Sequence, residues 1–121
     1  MCIRDSQEAV AFKAAPHPWL ELIQERVYGD DPELRRGKPA PDPFLLAARR
    51  LGVACAACWA FEDSPAGARA AFDAGCRVLV FIAPGVPVGE FPAGVQRLAS
   101  LAEVRLEGAA NSTAAELSRD G

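Results

Sequence analysis

Residues 58 to 82 read as strand, helix, strand, and no other stretch of the chain limits the possible folds so tightly. Cys58-Trp59-Ala60-Phe61 is a short apolar run. Ser64 follows as a helix cap with Pro65 at the first helical position, Ala68, Ala71 and Phe72 supply an apolar stripe, and Gly75 marks the stop. Val78-Leu79-Val80-Phe81-Ile82 is then continuously apolar, as in a strand buried on both faces of a parallel sheet. Two strands joined by a helical crossover of this length form a βαβ unit, so the fold class is α/β. Ligands of such sheets bind at the carboxyl ends of the strands. Glu62 and Asp63 stand at that end of the first strand, in the crevice and not in the core.

The 121 residues are half apolar and 24% charged, which suits one soluble domain with a real core. A net charge of −3 provides no basic footprint for nucleic acid or an anionic membrane, and neither is expected as a partner. No apolar run approaches the roughly 20 residues of a membrane span. Met1 to Ser6 lacks the pattern of a secretory signal, so a cytoplasmic setting with reduced thiols is expected. Cys55-Ala-Ala-Cys58 is formally a redox or zinc half-site, but zinc needs a second ligand pair and the single histidine, His17, lies far upstream. Cys58 and Cys76 enter apolar segments, where free cysteine behaves as a small hydrophobe.

Elsewhere the pattern is coarser. Trp19 to Ile23 reads as a short helix, Arg26-Val27-Tyr28 as a brief extended piece, and Gly29-Asp30-Asp31-Pro32 as a turn opening a loop to Pro41. Asp42 is placed to cap a helix with Pro43 at its first position, running through Phe44, Leu45, Ala48 and Leu51 to Gly52. A short helix is expected near Val95 to Leu101 and a weak strand at Val104 to Leu106, with a frayed tail over 108–121.

Lys38 is one of only two lysines and sits in Gly37-Lys38-Pro39-Ala40-Pro41-Asp42-Pro43-Phe44. This segment, the preceding Gly29-Asp30-Asp31-Pro32-Glu33-Leu34 and the later Phe61-Glu62-Asp63-Ser64-Pro65-Ala66-Gly67 together resemble the haloacid dehalogenase (HAD) superfamily. Within it the chain is most similar to the branch of pseudouridine-5′-phosphatases and β-phosphoglucomutase-like phosphatases, with Lys13 and His17 adding to the likeness. The resemblance implies a Rossmann-like parallel sheet of HAD type. It also implies a Mg²⁺-dependent enzyme in which an Asp attacks phosphorus and the resulting aspartyl-phosphate is hydrolysed. That Asp belongs to an Asp-x-Asp-Gly motif on the first strand, and no such motif occurs here. The first strand and the helical cap domain are therefore expected to be missing, residues 7–107 to be the C-terminal part of a HAD-like core, and residues 1–6 to be non-native. The chain alone is expected to be inactive.

By the same resemblance Asp63 is the closer metal ligand, with Glu62 assisting, and Lys38 is the catalytic cation between the nucleophile and a phosphate oxygen. Ser64 is a weaker candidate for binding phosphate or substrate. On the residues alone, Mg²⁺ favours one or two carboxylates with waters and phosphate oxygens, which Glu62 and Asp63 can supply where the strand turns into its loop. The competing readings are a solvated acidic pair at a helix N-terminus and a surface lysine in a proline-rich loop. His17 could act as a general base but suits a turn, Asp42 suits a cap, and Asp30 and Asp31 suit turn formation over an entrance role. The implied partner is a small phosphorylated metabolite, with a monomer at full length. A β-phosphoglucomutase-like mutase and a non-catalytic α/β binding module are the alternatives.

Overall fold

The computed structural model describes residues 1–3, 5–107 and 116–118. Its centre is the expected βαβ unit. β1 (Trp59–Glu62) and β2 (Arg77–Phe81) are parallel, with Trp59 opposite Arg77 and Glu62 opposite Val80. α3 (Pro65–Asp73) crosses between them. The Ser64 side chain accepts from the Gly67 amide at 3.1 Å, filling one of the donors that a helix start leaves unpaired. Gly75 adopts φ 94, the left-handed backbone that ends helices and favours glycine.

The parallel sheet has the order β1-β2-β3, with β3 (Gln96–Leu98) pairing with β2 so that Leu79 faces Gln96. This corrects the helix expected over Val95–Leu101: its first half is a strand, and only Leu101–Glu103 coils, as a 3₁₀ turn. The free edge of β2 offers a row of backbone donors and acceptors, and satisfying it outweighs a weak local helical preference. The approach to β3 is held by buried Phe91 and by Gly94, where a Cβ would lie 2.4 Å from the Phe72 ring.

Ala60, Val78 and Val80 on one face of the sheet pack with Ala68 and Ala71 of α3 and with Phe91. Small alanines let the helix backbone approach closely, and Ala68 and Ala71 are wholly inaccessible. The other face is less covered. Val78, Leu79 and Val80 are buried as the apolar run predicted, but Phe61 and Phe81 are partly exposed. They line an open apolar cavity of about 480 Å³ with Leu79, Leu98 and Leu101.

α2 (Asp42–Leu51) buries Leu46 and Ala47 against Val27 and ends at Gly52, φ 70. Asp42 does not cap it. Pro41 occupies the cap position without a side-chain bond, and an Asp42 oxygen accepts from Arg36 at 3.1 Å. The cation of Arg36 competes for the carboxylate that the helix start was expected to take.

α1 (Gln7–Ala14) has no announcing stripe in the sequence; Ser6 caps it by accepting from the Ala9 amide at 3.3 Å. The Trp19–Ile23 helix is a 3₁₀ turn at Pro18–Leu22. Cys2 pairs in parallel with Val27, through Ile3 N to Val27 O at 2.7 Å and Val27 N to Met1 O at 2.8 Å. β4 (Arg105–Glu107) pairs antiparallel with β5 (Glu116–Ser118). The remainder of the expected tail, 108–115 and 119–121, lies outside the described residues.

Among the described residues β1 has β2 as its only strand partner. Beyond its other edge lies a second cavity, of about 390 Å³, walled by β1 on one side and by Met1, Cys2 and α2 residues Phe44, Ala47, Ala48 and Leu51 on the other.

Candidate functional site

The loop from Gly29 to Pro41 is rigidified locally before it reaches the site. Arg50 of α2 reaches back to Asp31 with two bonds, at 2.7 and 2.9 Å, and the Glu33 amide donates to the same carboxylate at 3.0 Å. These bonds, the Arg50 guanidinium first, hold the Asp31 carboxyl below its usual range. Asp31 thus anchors the loop. The Lys38–Pro39 peptide is cis, and Gly37 O accepts from Ala40 N at 3.0 Å to close the turn around Lys38.

From that turn Lys38 extends to the carboxyl end of β1. Its ammonium donates to Glu62 Oε1 at 2.6 Å, with side-chain exposures of 14% and 9%, and lies 3.5 Å from the Cys2 carbonyl. It also stands 5.2 Å from the centre of the Phe44 ring, close enough for a cation–π contact. A lysine so placed is neither a solvated surface charge nor free to swing.

Glu62 is the last residue of β1, and its carboxylate lies over the first turn of α3, where backbone amides and the helix dipole favour negative charge. Gly67 makes this possible: a Cβ there would meet Glu62 Oε2 at 2.0 Å. Asp63, one step beyond the strand, is exposed, and no hydrogen bond or ion pair involves its side chain among the described contacts. The two acids therefore differ in surroundings: Glu62 is paired with Lys38, and Asp63 is exposed without an ion pair among the described residues. Both border the 480 Å³ cavity at the carboxyl end of the sheet.

Lys38, Glu62, Asp63 and Ser64 are thus brought to one end of the sheet, although the Ser64 hydroxyl oxygen is already engaged by α3. The other candidates are elsewhere. His17 is exposed at the start of the 3₁₀ turn, with Trp19 as its ring neighbour at 6.4 Å. Asp30 accepts from the Gln7 amide at 3.0 Å, and Lys13 pairs with Asp5 at 2.5 Å. Gly67 and Phe44 were not singled out from sequence as parts of the site. Both lie inside the quoted motifs, five residues after Glu62 and six after Lys38, but only the packing shows what each touches.

Among the described residues no group of three or more His, Cys, Asp or Glu is arranged to hold a metal ion. Glu62 and Asp63 make a two-carboxylate set, which suits Mg²⁺ completed by water and phosphate oxygens and does not suit a closed protein cage. No described helix is long and apolar enough to cross a membrane.

Comparison with known proteins gives a consistent result. The family profile for haloacid dehalogenase-like hydrolase matches residues 2–75. A Drosophila melanogaster protein named as a probable pseudouridine-5′-phosphatase is 41% identical over 112 residues, covering 88% of this chain and 48% of that protein. The (DL)-glycerol-3-phosphatase 2 of Arabidopsis thaliana is 39% identical over 91 residues, 73% of this chain and 38% of its own length. The crystal structure of CbbY from Rhodobacter sphaeroides in complex with phosphate superposes with a TM-score of 0.68 at 34% identity, over 81% of this chain and 44% of that one. The chain spans about half the length of the relatives it matches, or less. It belongs to the haloacid dehalogenase-like hydrolase family.

Proposed function

We propose that this chain is the C-terminal part of a Mg²⁺-dependent phosphomonoesterase that acts on a small phosphorylated sugar or nucleoside through an aspartyl-phosphate. The observation that carries the reading is the Lys38–Glu62 contact at 2.6 Å, which fixes a cation at the carboxyl end of β1 beside the exposed Asp63. The relatives named as phosphatases and the phosphate held by CbbY support it.

Asp63, with Glu62, would hold the metal, whose chemistry is to neutralise charge on the phosphoryl oxygens as bonds to phosphorus break and form. Lys38 supplies a second positive charge that does not need to reorganise during the reaction, because Glu62, Phe44 and the Cys2 carbonyl already hold its ammonium. Ser64 starts α3 and keeps its amide end facing the same crevice. The attacking Asp would enter on a strand beside β1, in the 390 Å³ gap whose walls include Cys2 and Ala60. The 121-residue chain by itself therefore performs no turnover.

Two assays test the reading. The isolated chain is expected to leave para-nitrophenyl phosphate untouched, and turnover above a Lys38→Ala control would overturn the inactivity. A fusion carrying the Drosophila relative's preceding half ahead of this chain is expected to hydrolyse the same ester only with Mg²⁺. In it Lys38→Ala lowers kcat by about 10²–10³, the typical effect of removing one preorganised charge-stabilising donor. Unchanged kcat in the variant, or metal-independent turnover, would refute the assignment.

A further inference from the structure

The two faces of the parallel sheet are unlike. Ala60, Val78 and Val80 turn to α3 and are buried with its alanines. Side chains alternate along a strand, so Trp59 and Phe61 of β1 and Arg77, Leu79 and Phe81 of β2 turn the other way. Leu98 of β3 and Leu101 of the 3₁₀ turn after it extend this second face around the 480 Å³ cavity. Phe61, Phe81 and Leu101 keep 44%, 37% and 64% of their surface exposed. Large apolar groups left open around one cavity make a patch, unlike the single exposures scattered over an ordinary surface.

Charge is ordered along the strand direction of the same face. Arg77 stands at the amino end, exposed, with its guanidinium 5.4 Å from the centre of the Trp59 ring. Asp63 stands at the carboxyl end, one step past β1, exposed and bordering the cavity. Neither has an ion pair among the described residues. Trp59 pairs with Arg77 and Glu62 with Val80, so Asp63 lies four rungs beyond Arg77, about 13 Å at the usual rise. The rung of Phe61 and Leu79 is midway between them.

We propose that this face docks a second copy of the chain, sheet on sheet, around a two-fold axis that lies across the strands. The axis passes over the Phe61–Leu79 rung, so the strands of the two copies run antiparallel. Their apolar rows meet at the usual sheet spacing of about 10 Å. The rung of Trp59 and Arg77 in one copy then falls on the level of Phe81 and Asp63 in the other. Symmetry repeats the contact, and both exposed charges on each copy gain a partner. Parallel stacking would set Arg77 against Arg77 and Asp63 against Asp63, so charge selects the antiparallel arrangement. The same feature singles out a second copy over an unrelated apolar partner, because one end of the face carries the charge that the other end needs. The phosphatase reading uses only Asp63 of these groups, and the proposal does not depend on it.

The test is sedimentation equilibrium of the 121-residue chain in metal-free buffer over a wide concentration range. Arg77 and Asp63 are exposed, so substituting them leaves the core intact, which circular dichroism checks. The parent is expected to form a dimer. Its dissociation constant should rise about tenfold in Arg77→Asp and in Asp63→Arg, and return to within about threefold of the parent in the double variant. Phe81→Lys, which puts charge into the patch, should raise it about tenfold or more. A parent that stays monomeric overturns the proposal. So does a double variant that associates no better than the single ones. Association indifferent to all three substitutions would be pairing through the edge of β1, and would overturn it as well.

Discussion

Gly67 and Glu62 compete for one volume: a Cβ built on Gly67 falls 2.0 Å from Oε2 and 2.3 Å from the carboxyl carbon of Glu62. The glycine is therefore the reason that an acid at the end of β1 can lie down on the start of α3 and still meet Lys38.

Gly67→Ala is accordingly expected to push the Glu62 carboxylate off its place and destabilise the chain by about 1–3 kcal/mol, the usual range for overpacking. Urea titration followed by circular dichroism measures it. In the Glu62→Ala background the same substitution should cost far less, since the atom it strikes is gone. Equal costs in both backgrounds would show that the close approach is not what Gly67 serves.

The Lys38–Glu62 pair is nearly enclosed, so removing one partner strands the other. Lys38→Met or Glu62→Leu alone should cost about 3 kcal/mol or more, and the double substitution should recover much of that loss. Single variants within about 0.5 kcal/mol of the parent would place the pair in solvent, contrary to its 14% and 9% exposures.

Acid should loosen the loop that carries Lys38. The Asp31 carboxyl is held low by Arg50 first and by the Glu33 amide second. A carboxyl depressed in the folded state adds stability above its unfolded pKa, and that stability disappears as pH falls through the folded value. The parent should therefore lose more stability than Asp31→Asn between pH 5 and the acid limit. Parallel pH profiles for the two proteins would contradict this.

Among the described residues β1 has no second strand partner, and this should make the isolated chain associate, since a strand edge without a partner is a template for another chain. Sedimentation is expected to show concentration-dependent oligomers, and urea unfolding a shallow slope. A monomer with a cooperative, reversible transition of normal slope would speak against a vacant strand position beside β1.

The βαβ unit was legible in the sequence because its signals are local. Ser64 and Pro65 start α3, Gly75 ends it, and an apolar run makes β2, each through backbone preference or burial within a few residues. The motif around Lys38 and the motif around Glu62 were legible too, as patterns of residue type. β3 was not, because Gln96-Arg97-Leu98 becomes a strand only by meeting the free edge of β2. Asp42 was misread as a cap because its competitor, Arg36, approaches through the fold of the loop.

What sequence alone determined is the parallel α/β architecture and the kinds of charge that gather at one end of it. Tertiary structure decided which charges touch: Lys38 crosses 24 positions to pair with Glu62, while Asp63 has no ion pair among the described residues. Chain-local chemistry sets each element, whereas electrostatic pairing depends on distances of a few ångströms that only packing can set.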